Sequence, residues 1–583
     1  MYKYEKMSSY LPFILFILYS ISFASSQRKL LEEKNTDDIV IIHANDIHCG
    51  IIDNIGYDGL MLYKKELLTK YEHVLLVDAG DHIQGGAIGL LSRGSDIIKI
   101  MNKLEYDVAA LGNHEFDYKL EQLYNLSDDF NNSYVNAHFC YRKNKSTIFK
   151  PYKIVEAGNK KIGFIGVLTP LTLTKTYLHT LVDEDGNYIY DFLTERKGQE
   201  FYEAIQKYIN ELREYAHVDY VIILSHLGYT GEQEEYTSKA LLENIDGVDA
   251  IIDGHSHQVY TIKSKDKKSN DIIVAQAGTK FSHVGILTIS NGKITSEIMS
   301  EIPLFDGYDN VEKITRDGKE RYVDPDMNQF LKDLIYSHEE KIKEYVGYTE
   351  FDMITVDETG QISRDKENNL CDLVADSLRN YYNSDICFLN SGGVRNNIIK
   401  GNITFGDILN VLPFSNRVVQ LKVSGKVILD TLEYGMKNLP NKSGKFLQVS
   451  GIKFKVYDNI PSPVQVDDFD NFRKIEGERR VFDVFVGNEK LDENKNYTLS
   501  LLNFMAEGGD GYTMFTNYKV FNDTQGFVVD VCKVYIQKNL NKTIPDIYKT
   551  NQERIVRRQK KDNSGDFLKA FGIYSMLLLC LLF

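Results

Sequence analysis

The stretch Leu111–Asp117, LGNHEFD, sets an amide, an imidazole and two carboxylates (Asn113, His114, Glu115 and Asp117) within five consecutive residues. It follows the apolar run YDVAA, so the crowding falls where a strand turns into a loop. Four other segments end alike. DIVIIHANDIH delivers Asp46 and His48, HVLLVDAGD delivers Asp78 and Asp81, VDYVIILSHLG delivers His226, and VDAIIDGHSH delivers His255 and His257. Imidazole nitrogen and carboxylate oxygen bind zinc and similar divalent ions at roughly 2.0–2.2 Å, and an amide oxygen can complete a shell. No cysteine stands among these residues, which argues against a structural zinc site. Asp46 with His48, and His255 with His257, are two residues apart, a spacing that lets both members of a pair face one side.

A lone DxH or GNH is more often a turn or a polar cap, but five such strand ends in order point to one site. The candidates Asp46, His48, Asp81, Asn113, His226, His255 and His257 exceed the needs of one tetrahedral ion. If one carboxylate bridges, they make two four-ligand sets with room for a shared hydroxide and a substrate, the two-metal arrangement of phosphoester displacement.

The elements that must position these residues are legible as well. Between the strand ends, GLMLYKKELLTKY, SDIIKIMNKL and GQEFYEAIQKYINELREYA carry helical periodicity, so the first half alternates strand and helix. Such folds gather ligands beyond the carboxyl ends of their strands. At 583 residues the chain outgrows a single core, and two domains are expected. A connector helix is predicted at 322–345, opened by Asp324 and Pro325. The net charge of -15 argues against a nucleic-acid partner, and an anionic substrate must be held by local cations.

Both termini carry processing signals. Lys3 and Lys6 precede LPFILFILYSISFA, which predicts a signal peptide at 1–26. The apolar tail Phe571–Phe583 is shorter than the ~20 residues of a spanning helix and follows small residues, so 564–583 reads as a removable GPI-anchor signal. Together with eight glycosylation triplets, at Asn125, Asn131, Asn144, Asn402, Asn441, Asn496, Asn522 and Asn541, these ends predict a glycoprotein secreted to the cell surface. A lipid anchor on the outer face of the plasma membrane is the expected attachment. Five cysteines precede the tail, enough for at most two bridges. Cys371 and Cys387 are the first pair to test, although spacing alone does not establish connectivity.

The ordered set DxH, GD, GNHE, SH and GHSH resembles the calcineurin-like metallophosphoesterases. FLNSGGVRNNI, GDILNVLPFSN, GKFLQVSGIKFKVYD and NFMAEGGDGYTMF are similar to the nucleotide-binding domain of the 5'-nucleotidase family, and the resemblance covers nearly everything between the terminal signals. It implies an α/β chain with a four-layer α/β/β/α metallophosphoesterase domain at 37–310, a helical linker, and an α+β nucleotide-binding domain at 346–550. It also implies two divalent ions, zinc first, with Mn2+, Co2+ or Mg2+ admissible. Asp46, His48, Asp81 and His257 would hold one, and Asp81, Asn113, His226 and His255 the other, with Asp81 as the bridge.

By the same resemblance His114 is the catalytic histidine and Asp117 orients it, while Glu115 and Asp78 are structural. Arg364, Asn390, Gly392 and Arg395 would engage the nucleotide, Phe414 and Phe504 would sandwich the base, and Asp510 would contact the ribose hydroxyls. The implied activity is extracellular hydrolysis of nucleoside 5'-monophosphates, such as AMP to adenosine and phosphate, by a hydroxide held between the ions. The competing readings are a broader hydrolase of ADP, ATP or UDP-sugars and a catalytically silent surface binding protein. The family's domains rotate to carry nucleotide to the metals, and some members dimerise, so a homodimer stays open. The sequence departs from some relatives at His257, where they have Asn or Gln, and at Ser391, which replaces a glycine.

Overall fold

The computed structural model describes residues 34–560, apart from 173–180, 182–187, 232, 304–309, 317, 357–362, 468 and 524–525. The segments expected as signal peptide and anchor signal lie outside the described residues.

Alternation along each strand decides the layering of the first half. In the strand Asn35–Ala44, Ile39 and Ile41 face one side while Val40, Ile42 and Ala44 face the other, and both sides are buried. A strand apolar on both faces needs cover on both faces, the signature of a parallel sheet inside an α/β fold. The first sheet runs, in spatial order, Lys293–Met299, Val284–Ser290, Asn35–Ala44, Tyr71–Asp78, Val108–Ala110 and Ser133–Val135, and its last four strands are parallel. The second runs Val259–Lys265, Asp271–Ala277, Ala250–Ile252, Tyr220–His226, Lys160–Leu168 and Tyr152–Ala157, with the middle four parallel.

Ile39, Ile41, Leu75, Val77, Phe164, Ile222, Leu224 and Ile252 fill the space between the two sheets. The helices Gly56–Lys70, Ser95–Leu104 and Leu120–Asp129 cover the outer face of the first sheet, burying Leu60, Ile97, Met101 and Leu123. The helices Gln199–Asn210 and Ser238–Asn244 cover the second through Phe201, Ile205, Leu241 and Leu242. The result is the four-layer α/β/β/α arrangement.

The connector differs from the single helix expected at 322–345. Residues Lys319–Val323 form a strand against Glu312–Arg316, and the helix begins at Pro325 with Asp324 accepting a hydrogen bond from Met327 N. It ends at Ser337; His338, at φ −106° and ψ 2°, leaves the helical region, and Glu339–Ile342 resumes as a separate short turn. The His338 ring bonds Asp96 in the first domain at 2.7 Å, which anchors the break.

The second half is α+β. One four-stranded sheet orders Val418–Ser424, Asn496–Leu502, Ile386–Asn390 and Leu447–Ser450; another joins Glu489–Lys490, Val481–Val486, Ile452–Tyr457 and Ile555–Arg558. The last of these strands lies beyond the expected boundary at 550, where IVRR offers too few apolar residues to announce itself. Cys371 and Cys387, the first pair to test, are both buried and free, as are the other described cysteines. Cys371 sits on the helix Asn369–Tyr382 and Cys387 on the strand Ile386–Asn390, each packed as a small apolar side chain. No helix among the described residues is long and apolar enough to cross a membrane.

Candidate active site

All five motif-bearing strands are parallel members of the two sheets, three adjacent in the first and two adjacent in the second. Their carboxyl ends meet at one edge of the sandwich, where the strands stop and their loops begin. Short loops then turn the side chains inward. Asp46, His48, Asp81, His255 and His257 have φ of 51°, 47°, 61°, 74° and 56°, the left-handed region that costs a non-glycine residue about 1–2 kcal/mol each. Such conformations persist only where the surroundings over-determine them.

Two glycines make the close approach feasible. A Cβ on Gly112 would lie 2.2 Å from Asp81 Oδ1, and one on Gly254 would lie 2.8 Å from His226 Nδ1. Glu115 ties two of the loops together as a structural carboxylate. Its Oε2 accepts from the backbone N–H of Asp81 and Gly112, and its Oε1 from those of His82 and Ile83. Asp78 accepts from Gly80 N and bonds the His82 ring, whose other nitrogen meets Tyr134 Oη at 2.5 Å.

The potential ligand atoms converge. His48 Nε2 lies 3.0 Å from His257 Nε2 and 3.8 Å from Asp81 Oδ2; His257 Nε2 lies 3.4 Å from Asp46 Oδ1. His226 Nε2 lies 3.0 Å from Asp81 Oδ2, without hydrogen-bond geometry, and 3.8 Å from Asp46 Oδ1. Tetrahedral ligands around one ion sit about 3.3 Å apart, so these separations suit cations. Two groups emerge, Asp46 with His48 and His257, and Asp46 with Asp81 and His226. Asp46 therefore belongs to both groups, and Asp81, which the resemblance implies as the bridge, also comes within 3.8 Å of His48 Nε2.

Asn113 contributes a buried amide oxygen with no hydrogen-bond partner, and the His255 ring stands 5.3 Å from that of His226. His48 Nδ1–H donates to Gln84 O at 3.0 Å and His226 Nδ1–H to Ala79 O at 2.7 Å, which leaves each Nε2 lone pair for an ion. Asn45 Nδ2 donates to Asp46 Oδ2 at 2.7 Å. The sequence did not single out Asn45, Ala79 or Gln84; only the adjacency of Asn45 to Asp46 hinted at a role.

Electrostatics follow the same crowding. Burial opposes charge on His226, but Asp81 and Asp46 outweigh it and raise the ring to about 10. Burial, with His226 beside it, lowers His255 to about 3, and burial also takes His48 well below its ordinary value. Burial works against the ionised Asp81 as well, yet the charges of His226 and His114 hold it well below the usual carboxylate range.

His114 stands at the rim, its Nδ1 2.7 Å from Asp117 Oδ2 and its backbone N–H donating to Asp81 Oδ1 at 2.8 Å. Burial disfavours its charged form, but Asp117 and Asp81 together raise it above the ordinary histidine value.

The second domain reaches this rim. The Phe414 ring lies 5.8 Å from that of His114, and the Arg395 guanidinium lies over Phe414 at 5.6 Å. Asp81 and Asp117 act on Arg395 electrostatically, partly offsetting the burial that lowers it. Two bonds fasten the domains beside the site, from Gln84 Nε2 to Pro413 O and from Ala87 N to Asn410 Oδ1.

Asn390 Nδ2 donates to Asp510 Oδ2 at 2.6 Å, and Asp510 sits at φ 54°. Gly392 N donates to Gly444 O, and Gly444 also faces Arg364. Phe504 packs on Gly509, where a Cβ would meet its ring at 2.4 Å. Among the described residues, no ring contact joins Phe414 to Phe504.

Residues 39–259 match the model of calcineurin-like phosphoesterases and residues 346–517 that of the 5'-nucleotidase C-terminal domain. The chain belongs to the 5'-nucleotidase family. It is a phosphoesterase of that type, a hydrolase of a class that binds two divalent metals. A snake venom 5'-nucleotidase from Crotalus adamanteus is 26% identical over 565 residues, covering 88% of each chain. A 5'-nucleotidase precursor from Thermus thermophilus superposes with a TM-score of 0.70 at 25% identity, covering 90% of this chain and 100% of that one. A trifunctional nucleotide phosphoesterase of Bacillus subtilis is 25% identical over 92% of this chain, which spans 36% of that protein's length.

Proposed function

We propose that the protein hydrolyses nucleoside 5'-monophosphates, AMP among them, to nucleoside and phosphate, using two zinc ions. The single observation that carries this reading is the meeting of Arg395 and Phe414 from one domain with His114 from the other. An arginine fork, an aromatic face and a histidine beside clustered ligands are what a phosphate attached to a nucleoside requires.

Asp46, His48, Asp81 and His257 would hold one ion, and Asp81, Asn113, His226 and His255 the other. Each set offers two nitrogens and two oxygens, donors that suit zinc. The unsatisfied Asn113 amide oxygen and the inward His226 Nε2 fit that assignment. Ions held there would make bound water more acidic and neutralise phosphoryl charge. His114, with Nδ1 committed to Asp117, keeps Nε2 for a phosphoryl oxygen and stabilises charge as it develops. Arg364, Asn390, Gly392 and Arg395 would hold the nucleotide, with Asp510 taking the ribose hydroxyls and Phe414 and Phe504 the base.

Phosphate release from AMP, measured beside ADP, ATP and UDP-glucose, tests the reading; folded, zinc-loaded protein that leaves AMP intact overturns it. The broader nucleotide hydrolase is favoured by one feature, a cavity of about 470 Å³ between the domains. It is lined by Tyr188, Lys197, Phe469 and Arg473 and reaches Gly508 and Gly509 beside Asp510, so a larger substrate would find space next to the proposed ribose contact. Faster turnover of ADP or UDP-glucose than of AMP would select that reading.

Domain rotation delivers the nucleotide in this proposal. Engineered cysteines crosslinking the domains should abolish turnover, and unaffected turnover would count against it. The protein is further proposed to lie on the outer cell surface through a lipid anchor. Seven of the eight glycosylation triplets present an exposed asparagine, while Asn522 is half-buried with its amide donating to Gln420 Oε1. Release by a phosphatidylinositol-specific phospholipase tests the anchor.

A further inference from the structure

The GHSH turn that follows the strand Ala250–Ile252 holds His255 and His257 at φ of 74° and 56°. Neither ring would choose that backbone unaided, so the turn must be gripped from outside. The grip comes from the adjacent parallel strand Asp271–Ala277, which carries Gln276, a fully buried side chain, beneath the turn.

Its carboxamide is satisfied on both ends. Nε2 donates to Gly254 O at 2.6 Å and to Tyr260 Oη at 3.1 Å. Oε1 accepts from Ser256 Oγ at 2.9 Å and from Gln258 N at 2.5 Å. The loop contacts therefore fall on residues 254, 256 and 258, alternate positions of the turn. The two residues between them, 255 and 257, face the other way, toward His226 and Asp46. There His255 N donates to Asp46 Oδ2 at 2.9 Å, and His257 Nε2 approaches Asp46 Oδ1 and His48 Nε2. Only an amide can do this, because one end must donate to a carbonyl while the other accepts from a hydroxyl and a backbone N–H.

We propose that Gln276 is a positioning residue for both ions: a single amide sets His255 toward one and His257 toward the other. The inference rests on the two-metal reading above. It has a distinctive consequence, since losing this amide weakens both metal sites together, whereas losing His257 weakens one.

The test titrates zinc into the chelator-stripped full-length protein by calorimetry and counts bound ions by mass spectrometry. Gln276→Leu should lower both zinc affinities about 10- to 100-fold, the usual effect of removing a group that orients metal ligands. Hydrolysis should return as zinc is raised in the folded variant. Ser256→Ala, which removes one contact of the grip, should have a smaller effect of the same kind. If Gln276→Leu fails to fold, Gln276→Glu carries the test: its carboxylate keeps the acceptor but has no donor for Gly254 O, so both affinities should again fall. Wild-type affinity at both sites in the folded variant, or a loss confined to one site, overturns the proposal. Wild-type protein that binds fewer than two ions would instead overturn the two-metal reading.

Discussion

The two halves of the site are built differently. Around the cation groups, every motif residue sits at or just after the carboxyl end of a parallel strand, so two packed sheets fix its origin and a loop of a few residues fixes its aim. In the second domain, Asn390 ends the strand Ile386–Asn390, Phe504 lies in the short helix Asn503–Ala506 and Asp510 in the turn Gly509–Gly511; Arg364, Arg395 and Phe414 lie in loops, and Arg395 and Phe414 complete their surroundings only against His114 of the other domain. The first half is a preassembled cage that spends left-handed backbone to stay so. The second is a surface whose final shape depends on how the domains meet, as expected of a region that must admit and release a ligand.

Variants can break this contrast. The largest effect is expected from Asp81→Asn, which touches both sets. It should empty both sites and lower kcat/KM by at least about 10³-fold, with metal content measured alongside activity. His114→Ala should lower turnover by about 10²–10³-fold while two ions remain bound; loss of metal in that variant would mean His114 belongs to the cage.

Arg395→Ala should raise KM for AMP about 10- to 100-fold, the worth of a charge-assisted hydrogen bond, again with full metal content. Phe504→Ala should raise KM for AMP about tenfold through lost base stacking, yet leave hydrolysis of p-nitrophenyl phosphate unchanged. If both substrates suffer alike, the second domain shapes the metal centre and the contrast fails.

The finest test concerns protons. His226, raised from 6.5 to about 10 in the metal-free protein, carries a proton at pH 7. That charge stabilises the metal-free fold fully below about pH 6.5 and is lost as pH rises through about 10. An ion needs the neutral ring, so zinc binding at pH 7 should release a proton, seen as calorimetric heats that vary with the ionisation enthalpy of the buffer. Buffer-independent heats would place His226 outside the first coordination sphere.

The legibility of the sequence follows the same division. Strand ends announce themselves because an apolar run closing on Asp, Asn, His and Gly is a pattern within ten residues, and all five were placed by it. The connector was readable as a helix, but not its break at His338, which depends on Asp96 more than 200 residues away. Strand Ile555–Arg558 was missed because its pairing with Ile452–Tyr457, rather than its own composition, makes it a strand. Cys371 and Cys387 are close in the chain, which says nothing about the separate elements on which they pack.

What the chain determined by itself is chemistry and order: which residues can bind a cation, that they occur where strands stop, and that two domains follow one another. Those are properties of neighbouring residues, so local periodicity reveals them. Tertiary structure decided the rest, including the reach of Asp46 into both groups and the carbonyls of Ala79 and Gln84 that fix two imidazole tautomers. It also decided the amide of Gln276 under the GHSH turn. Each of these contacts joins atoms on different strands or loops, as when His255 N meets Asp46 across 209 residues, and no pattern within one segment encodes its partner.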